Sequence, residues 1–219
     1  MPISGRPLLA RVLDRLRPVE DEFPIFVATS ERPVDDPIAD FATQQNVTVF
    51  RGATDDVAGR ILACARAHDI TRLVRVSGDS PFMDPMLCRE LAAAHIAGEE
   101  DLVTNVSPRS YPKGLSVEVV STTALARAAA AMQDTSDREH VTPFMYRHPE
   151  MFSIRNHPAP NDDSDVTLTV DTPHDHARAC AIAAQLDAHK GMASLEDIIG
   201  MARAWDRENI NAARADTHD

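Results

Sequence analysis

The chain has 219 residues, 43% of them hydrophobic, and a formal net charge of −12. That length sustains one substantial core, and the charge argues against a nucleic-acid or anionic-membrane surface. The apolar runs are too short to span a bilayer, no secretory h-region opens the chain, and Cys64, Cys88 and Cys180 are scattered like small buried hydrophobes of a reducing cytoplasm.

In chain order, Gly5 and Pro7 precede an amphipathic helix carrying Leu8, Leu9, Val12, Leu13 and Leu16 at helical spacing, with only a short loop expected before it. The run 24–30 (PIFVATS) predicts a strand. Residues 35–45 predict a helix with Asp36 as N-cap, Pro37 at its first position, and Ile38 and Phe41 on one face. A short strand at 47–50 leads to a helix at 54–69 that turns Val57, Ile61, Leu62 and Ala65 inward. A strand at 72–78 and a helix at 84–98, capped by Asp84-Pro85, follow. Strand and helix alternate from residue 24 to about 104, the signature of a parallel sheet with covering helices.

Further on, a strand is predicted at 115–121 and an Ala-rich helix at 122–133. A helix at 136–149 is interrupted near Pro143, a strand occupies 166–171, and helices fill 172–189 and 194–205. The economical reading is one domain over residues 1–205 and a polar tail over 206–219.

Ligands of an open parallel sheet lie outside the carboxyl ends of its strands. Asp79 follows the strand of 72–78 and Asp171 closes that of 166–171, and two carboxylates delivered to one crevice suit Mg²⁺. Alone, Gly78-Asp79 reads as a turn, and Asp175 after Thr172-Pro173 reads as a helix cap. Arg51, Asp56 and Arg60 surround the start of the helix after residue 54, where a phosphate or a base edge is held well. Asp55 and Asp56 complement the helix dipole equally well. The loop at 107–114 and the triplet Arg138-Glu139-His140 form a third cluster, in which Arg109, Lys113 and Arg138 suit a substrate carboxylate. The triplet also reads as a solvated or dimer-facing surface.

Taken together, VFRGATDDVAGR, VRVSGDSPFMDP, YPKGLSVEV, REHVTPF and LTVDTPHD resemble the cytidylyltransferase-type proteins of the spore coat polysaccharide group, from about Pro2 to about Gln185. That group is similar to the acylneuraminate and 3-deoxy-manno-octulosonate cytidylyltransferases. The resemblance implies an α/β, three-layer nucleotide-diphospho-sugar transferase (Rossmann-like) fold with a mostly parallel sheet. It implies transfer of a nucleotidyl group from CTP to a sugar or sugar acid for surface polysaccharide synthesis, with release of pyrophosphate, in a cytoplasmic homodimer.

Carried over by position, Asp79 and Asp171 hold Mg²⁺ as the catalytic pair. Arg51, Asp56, Arg60 and Arg75 lie on the nucleotide side, and Arg109, Tyr111, Glu118, Arg138, Glu139 and His140 line the sugar side. Relatives carry a strand and a basic Gly/Ser loop ahead of the segment that here reads MPISGRPLL, so the first strand is expected to be missing, opening the sheet between the strands at 24–29 and 72–77. Two alternatives keep the fold: a catalytically silent paralogue that binds sugar or a partner, and a metal-dependent glycosyltransferase.

Overall fold

A computed structural model describes residues 1–188 and 193–215. The chain enters through a tight hairpin, where only a loop was expected: β1 (Pro2–Ile3) pairs antiparallel with β2 (Arg6–Pro7). Ser4 and Gly5 make the turn at φ 48° and 76°, the left-handed pair that a two-residue hairpin requires. Helix α1 (Leu8–Leu16) follows directly and buries Val12, Leu13 and Leu16.

Strand β3 (Phe26–Ser30) leads to α2 (Asp36–Gln44) and then to β4 (Thr48–Gly52), which pairs parallel with β3. Asp36 is the first helical residue here and not the cap. Its carboxylate pairs with Arg51, and the inward face of α2 is Ala39 and Ala42, while Ile38 is exposed.

Helix α3 (Val57–Ala67), strand β5 (Arg72–Arg75), helix α4 (Pro85–Ala97) and strand β6 (Leu102–Thr104) follow. Strand β7 (Glu118–Ser121) and helix α5 (Thr122–Ala131) come next, then α6 (Thr135–His140) and α7 (Thr142–Arg147). The break between these two falls at Val141 and not at Pro143, which sits in the first turn of α7, where a proline is tolerated. Val141 is buried with φ 70° and ψ −79°, a strained conformation for a β-branched residue. Strand β8 (Ile154–Asn156), too short to announce itself, precedes α8 (Pro173–Ala188). Helix α9 (Leu195–Ala215) carries on through residues 206–215, whose composition reads as a tail; His189 and residues 216–219 lie outside the described residues.

Strands β5, β7, β6 and β8 form one sheet in that order. β6 and β8 are parallel, and β7 runs antiparallel to both of its neighbours. Successive side chains on a strand point to opposite faces, and the alternation builds three layers. Val74, Val103 and Val119 pack on one face with residues of α1, α4, α8 and α9. Leu73, Leu102 and Val120 pack on the other with α3, α5 and α7. A smaller cluster of Leu13, Ala42 and Val47 joins α1 to the β3–β4 pair. Among the described residues β3 and β5 are not bonded to each other, and neither has a strand on its second edge. The expected strand of 166–171 is an extended run held by a bridge between Lys113 and Thr167. Cys64 and Cys88 are buried as expected, and burial pushes the Cys88 thiol up to about 12. No helix among the described residues is long and apolar enough to cross a membrane.

That extended run lies against Gly114, at φ 96°, where an added Cβ would meet the Leu168 carbonyl carbon and the Thr169 nitrogen at 2.6 Å. Gly114→Ala is therefore expected to cost about 2 kcal/mol or more, combining left-handed strain with a backbone collision. Denaturant melts of the two proteins measure it.

Candidate active site

The alternation that layers the sheet also assembles one side of the site. Two residues along from Leu73, Leu102 and Val120 stand Arg75, Thr104 and Glu118, on the face turned toward α7. Glu118 is the register partner of both others. Glu118 is only 3% exposed, and a buried carboxylate needs a partner for each oxygen. Arg75 Nη1 donates to Oε2 at 2.5 Å, and the Tyr146 hydroxyl of α7 donates to Oε1. Since that hydroxyl has one proton, the Thr104 hydroxyl, 2.9 Å away, donates to Tyr146. Burial and the Glu118 carboxylate hold the Tyr146 phenol far above its usual range, so it remains a donor. Arg109 lies in the same field: burial lowers its guanidinium, and Glu118 and Tyr146 oppose that. It donates to the Pro112 carbonyl and to Ser116 Oγ.

Four residues past Arg75, the chain turns through Gly78 to Asp79. The Val170 amide donates to the Asp79 carbonyl at 3.1 Å, which fastens the turn to the run that ends in Asp171. Asp79 is half-buried and receives Ser80 Oγ at 2.7 Å on one carboxylate oxygen. Asp171 is exposed, and among the described residues its carboxylate has no hydrogen-bond or ion-pair partner. Among those residues no group of three or more acidic, His or Cys side chains forms a ready metal cage. Two hard oxygen donors with open valences nevertheless suit Mg²⁺, which keeps waters and phosphate oxygens as its other ligands.

A third cluster surrounds α3. Asp56 caps the helix by accepting from the Gly59 amide at 2.8 Å, and its other oxygen pairs with Arg138 at 3.0 Å. Arg138 also reaches the Met132 carbonyl at the end of α5. Arg60 donates to the Ala53 carbonyl. Arg51 stands on the other flank, tied to the Ser30 and Arg32 carbonyls and to Asp36, where it fixes the corner between β3 and α2. Glu139 and His140 are exposed on α6, beside strained Val141. Tyr111 is buried in the larger core, away from Glu118, and burial raises its phenol.

The structure thus pairs Arg75 with Glu118 and Asp56 with Arg138, ties the turn of Asp79 through its carbonyl to Val170, the residue before Asp171, and spends Arg109 on Pro112 and Ser116. It leaves Tyr111, Glu139 and His140 outside these groups. Two residues escaped sequence reasoning. Tyr146 follows the Arg138–His140 triplet in a helix too short to show a period. Asn105, fully buried, spans the loop base by donating to the Leu115 carbonyl and accepting from the Val117 amide. Asp175 is the cap it was expected to be: it accepts from Thr172 N and Oγ1, its own amide donates to Thr172 Oγ1, and it pairs with Arg178.

The profile of the cytidylyltransferase family matches residues 1–203. The spore coat polysaccharide biosynthesis protein SpsF of Bacillus subtilis is 28% identical over 183 residues, 80% of this chain and 75% of that protein. A cytidylyltransferase structure from Leptospira borgpetersenii superposes with a TM-score of 0.88 at 24% identity, covering 94% of this chain and 87% of that one. A CMP:2-keto-3-deoxy-manno-octonic acid synthetase solved with CTP gives 0.64 at 14% identity, covering 84% and 90%. These solved structures share the three-layer nucleotide-sugar transferase-like architecture.

Because Arg51 clamps two carbonyls of the β3–α2 corner, Arg51→Ala is expected to cost about 1–2 kcal/mol. The accompanying sign is faster amide exchange at residues 31–36, measured by hydrogen–deuterium exchange.

Proposed function

We propose that this chain, which belongs to the cytidylyltransferase family, transfers a cytidylyl group from CTP to a hydroxyl of a sugar or sugar acid and releases pyrophosphate. The reading places this chemistry in the cytoplasm, supplying an activated sugar for a surface polysaccharide. The observation that carries it is the Val170 to Asp79 hydrogen bond, which ties the turn bearing Asp79 to the extended run that ends in Asp171. Asp79 and Asp171 are the residues that would hold Mg²⁺. Bound there, the ion supplies charge neutralisation for the triphosphate and a better leaving pyrophosphate.

The chain's own groups do the rest. Arg75, at the carboxyl end of β5, offers guanidinium N–H groups to the phosphates where charge develops as the acceptor oxygen attacks the α-phosphorus in line. Arg51, Asp56 and Arg60 fix the backbone of residues 30–36 and 53–59, which faces the nucleotide in this reading. Arg109, with its loop braced by Asn105, and Glu118 shape the acceptor side. Glu139 and His140 are assigned to the rim of that side.

The assay is release of pyrophosphate from CTP and Mg²⁺ with a panel of sugars and sugar acids. Asp79→Asn and Asp171→Asn are each expected to lower turnover by about 10²-fold or more with an unchanged melting temperature. Near-normal rates in either variant would remove that residue from the site. A panel that yields hydrolysis of a nucleotide-sugar and no pyrophosphate would replace the reading with a glycosyltransferase.

A further inference from the structure

The Arg75–Glu118 pair has an asymmetry that its chemistry does not demand. A guanidinium and a carboxylate at this distance ordinarily close into a two-pronged pair, with two parallel N–H donors on two oxygens. Here Arg75 reaches Glu118 through Nη1 alone and on Oε2 alone. The other oxygen is taken by the Tyr146 hydroxyl, itself held by Thr104, whose Oγ1 also accepts from the Val106 amide. Among the described residues Nε and Nη2 of Arg75 make no hydrogen bond, and the side chain is 26% exposed. The guanidinium is anchored on one side by a buried charge and open on the other, four residues from Asp79.

We propose that Tyr146 is a positioning residue: by occupying Oε1 of Glu118 it keeps Arg75 from closing on that carboxylate with two nitrogens, and so leaves Arg75 donors directed to substrate phosphate. The inference rests on the reading of this crevice as a triphosphate site. Glu118 cannot escape the contest, because it is buried at the centre of β5, β7 and β6. Tyr146 is delivered by α7, whose entry is set by the strained turn at Val141 and by Arg138 clasping Asp56 one helix earlier. Removing the hydroxyl leaves a buried oxygen of Glu118 unsatisfied, and Arg75, already bonded to the other oxygen and with two nitrogens to spare, is a donor able to turn and fill it.

The test measures binding of inorganic magnesium tripolyphosphate by calorimetry to the full chain, alongside thermal melts. Wild type is expected to bind, and Tyr146→Phe, which keeps the ring and its packing, to bind about tenfold more weakly, the scale of one lost charge-assisted hydrogen bond. Glu118→Gln, which removes the charge that draws Arg75 in, supplies the other corner of the cycle, its own affinity serving as the reference for the double variant. The double variant Tyr146→Phe with Glu118→Gln is expected to recover most of the loss, a non-additive result that a packing defect does not produce. In turnover assays Tyr146→Phe lowers kcat/KM for CTP without matching loss in KM for the acceptor. Equal tripolyphosphate affinity in wild type and Tyr146→Phe, no binding by wild type, or no recovery in the double variant overturns the proposal. Should Tyr146→Phe fail to fold, tripolyphosphate affinity left unchanged by Arg75→Ala overturns it, since the proposal needs the Arg75 donors on phosphate. Tripolyphosphate binding that follows this pattern in a chain releasing no pyrophosphate from CTP leaves Tyr146 in its role and sinks the nucleotidyl-transfer reading instead.

Discussion

A carboxylate placed 3% exposed in the middle of a sheet has to be compensated on every lone pair that water cannot reach. Glu118 meets that condition through one residue from the neighbouring strand and one from a helix, and much of the surrounding structure follows from the requirement. Arg75 must lie opposite it in register, which aligns β5 on β7. Tyr146 must arrive from above, which brings α7 down onto the face formed by Leu73, Leu102 and Val120. The short helices on that face are arranged for this delivery: Arg138 fastens α6 to the capped start of α3, the chain reverses through Val141, and α7 points its tyrosine at the carboxylate.

The opposite side of the site is held by backbone. The run ending in Asp171 has no full ladder, and its place is set by a few specific bonds: Lys113 with Val166 and Leu168, and Val170 with the Asp79 carbonyl. Close approach at Gly114 and the Asn105 brace make those bonds possible. The backbone that carries Asp79 and Asp171 is positioned in this way, while the Asp171 carboxylate stays exposed and without a protein partner among the described residues. The overall charge of −12 does not oppose the polyanion proposed as substrate, because Arg75 and Arg109 supply positive charge locally.

Periodicity made the helices and most of the strands legible, because amphipathic stripes and β-branched runs in α1, α3, α4 and β7 each reflect burial on one known face. It failed where length or geometry gives no period. Strand β8 and the hairpin before α1 are three and two residues per strand. Ile38 shows why composition misleads: helix α2 turns Ala39, Ala42 and Phe41 toward the interior and leaves Ile38 exposed. Asp79 and Asp171 were expected as a pair because strand ends are where sheets present ligands, and the fold brings the run ending in Asp171 to the turn of Asp79 through the Val170 amide. Tyr146 was not, because its importance depends on an antiparallel register that brings Thr104, Glu118 and Arg75 into one row, and no local pattern in FMYRH encodes that. Arg51 and Asp56 were found as polar residues near a helix start; their partners Ser30, Asp36 and Arg138 are 15 to 82 positions away and emerge only in the fold.

The break between the β3–β4 pair and the four-stranded sheet has a mechanical meaning. Hydrogen-bonded ladders transmit shear along a sheet, and here the two parts meet without one. They are joined by α1, which places Val12 and Leu16 in the large core and Leu13 in the small one, and by Ile25, which packs against both. The leaf of residues 26–52 shares the small cluster of Leu13, Ala42 and Val47 with α1, while the rest shares two large cores. Among the described residues this leaves a seam between the two ladders, and the corner clamped by Arg51 lies on the side with the smaller core.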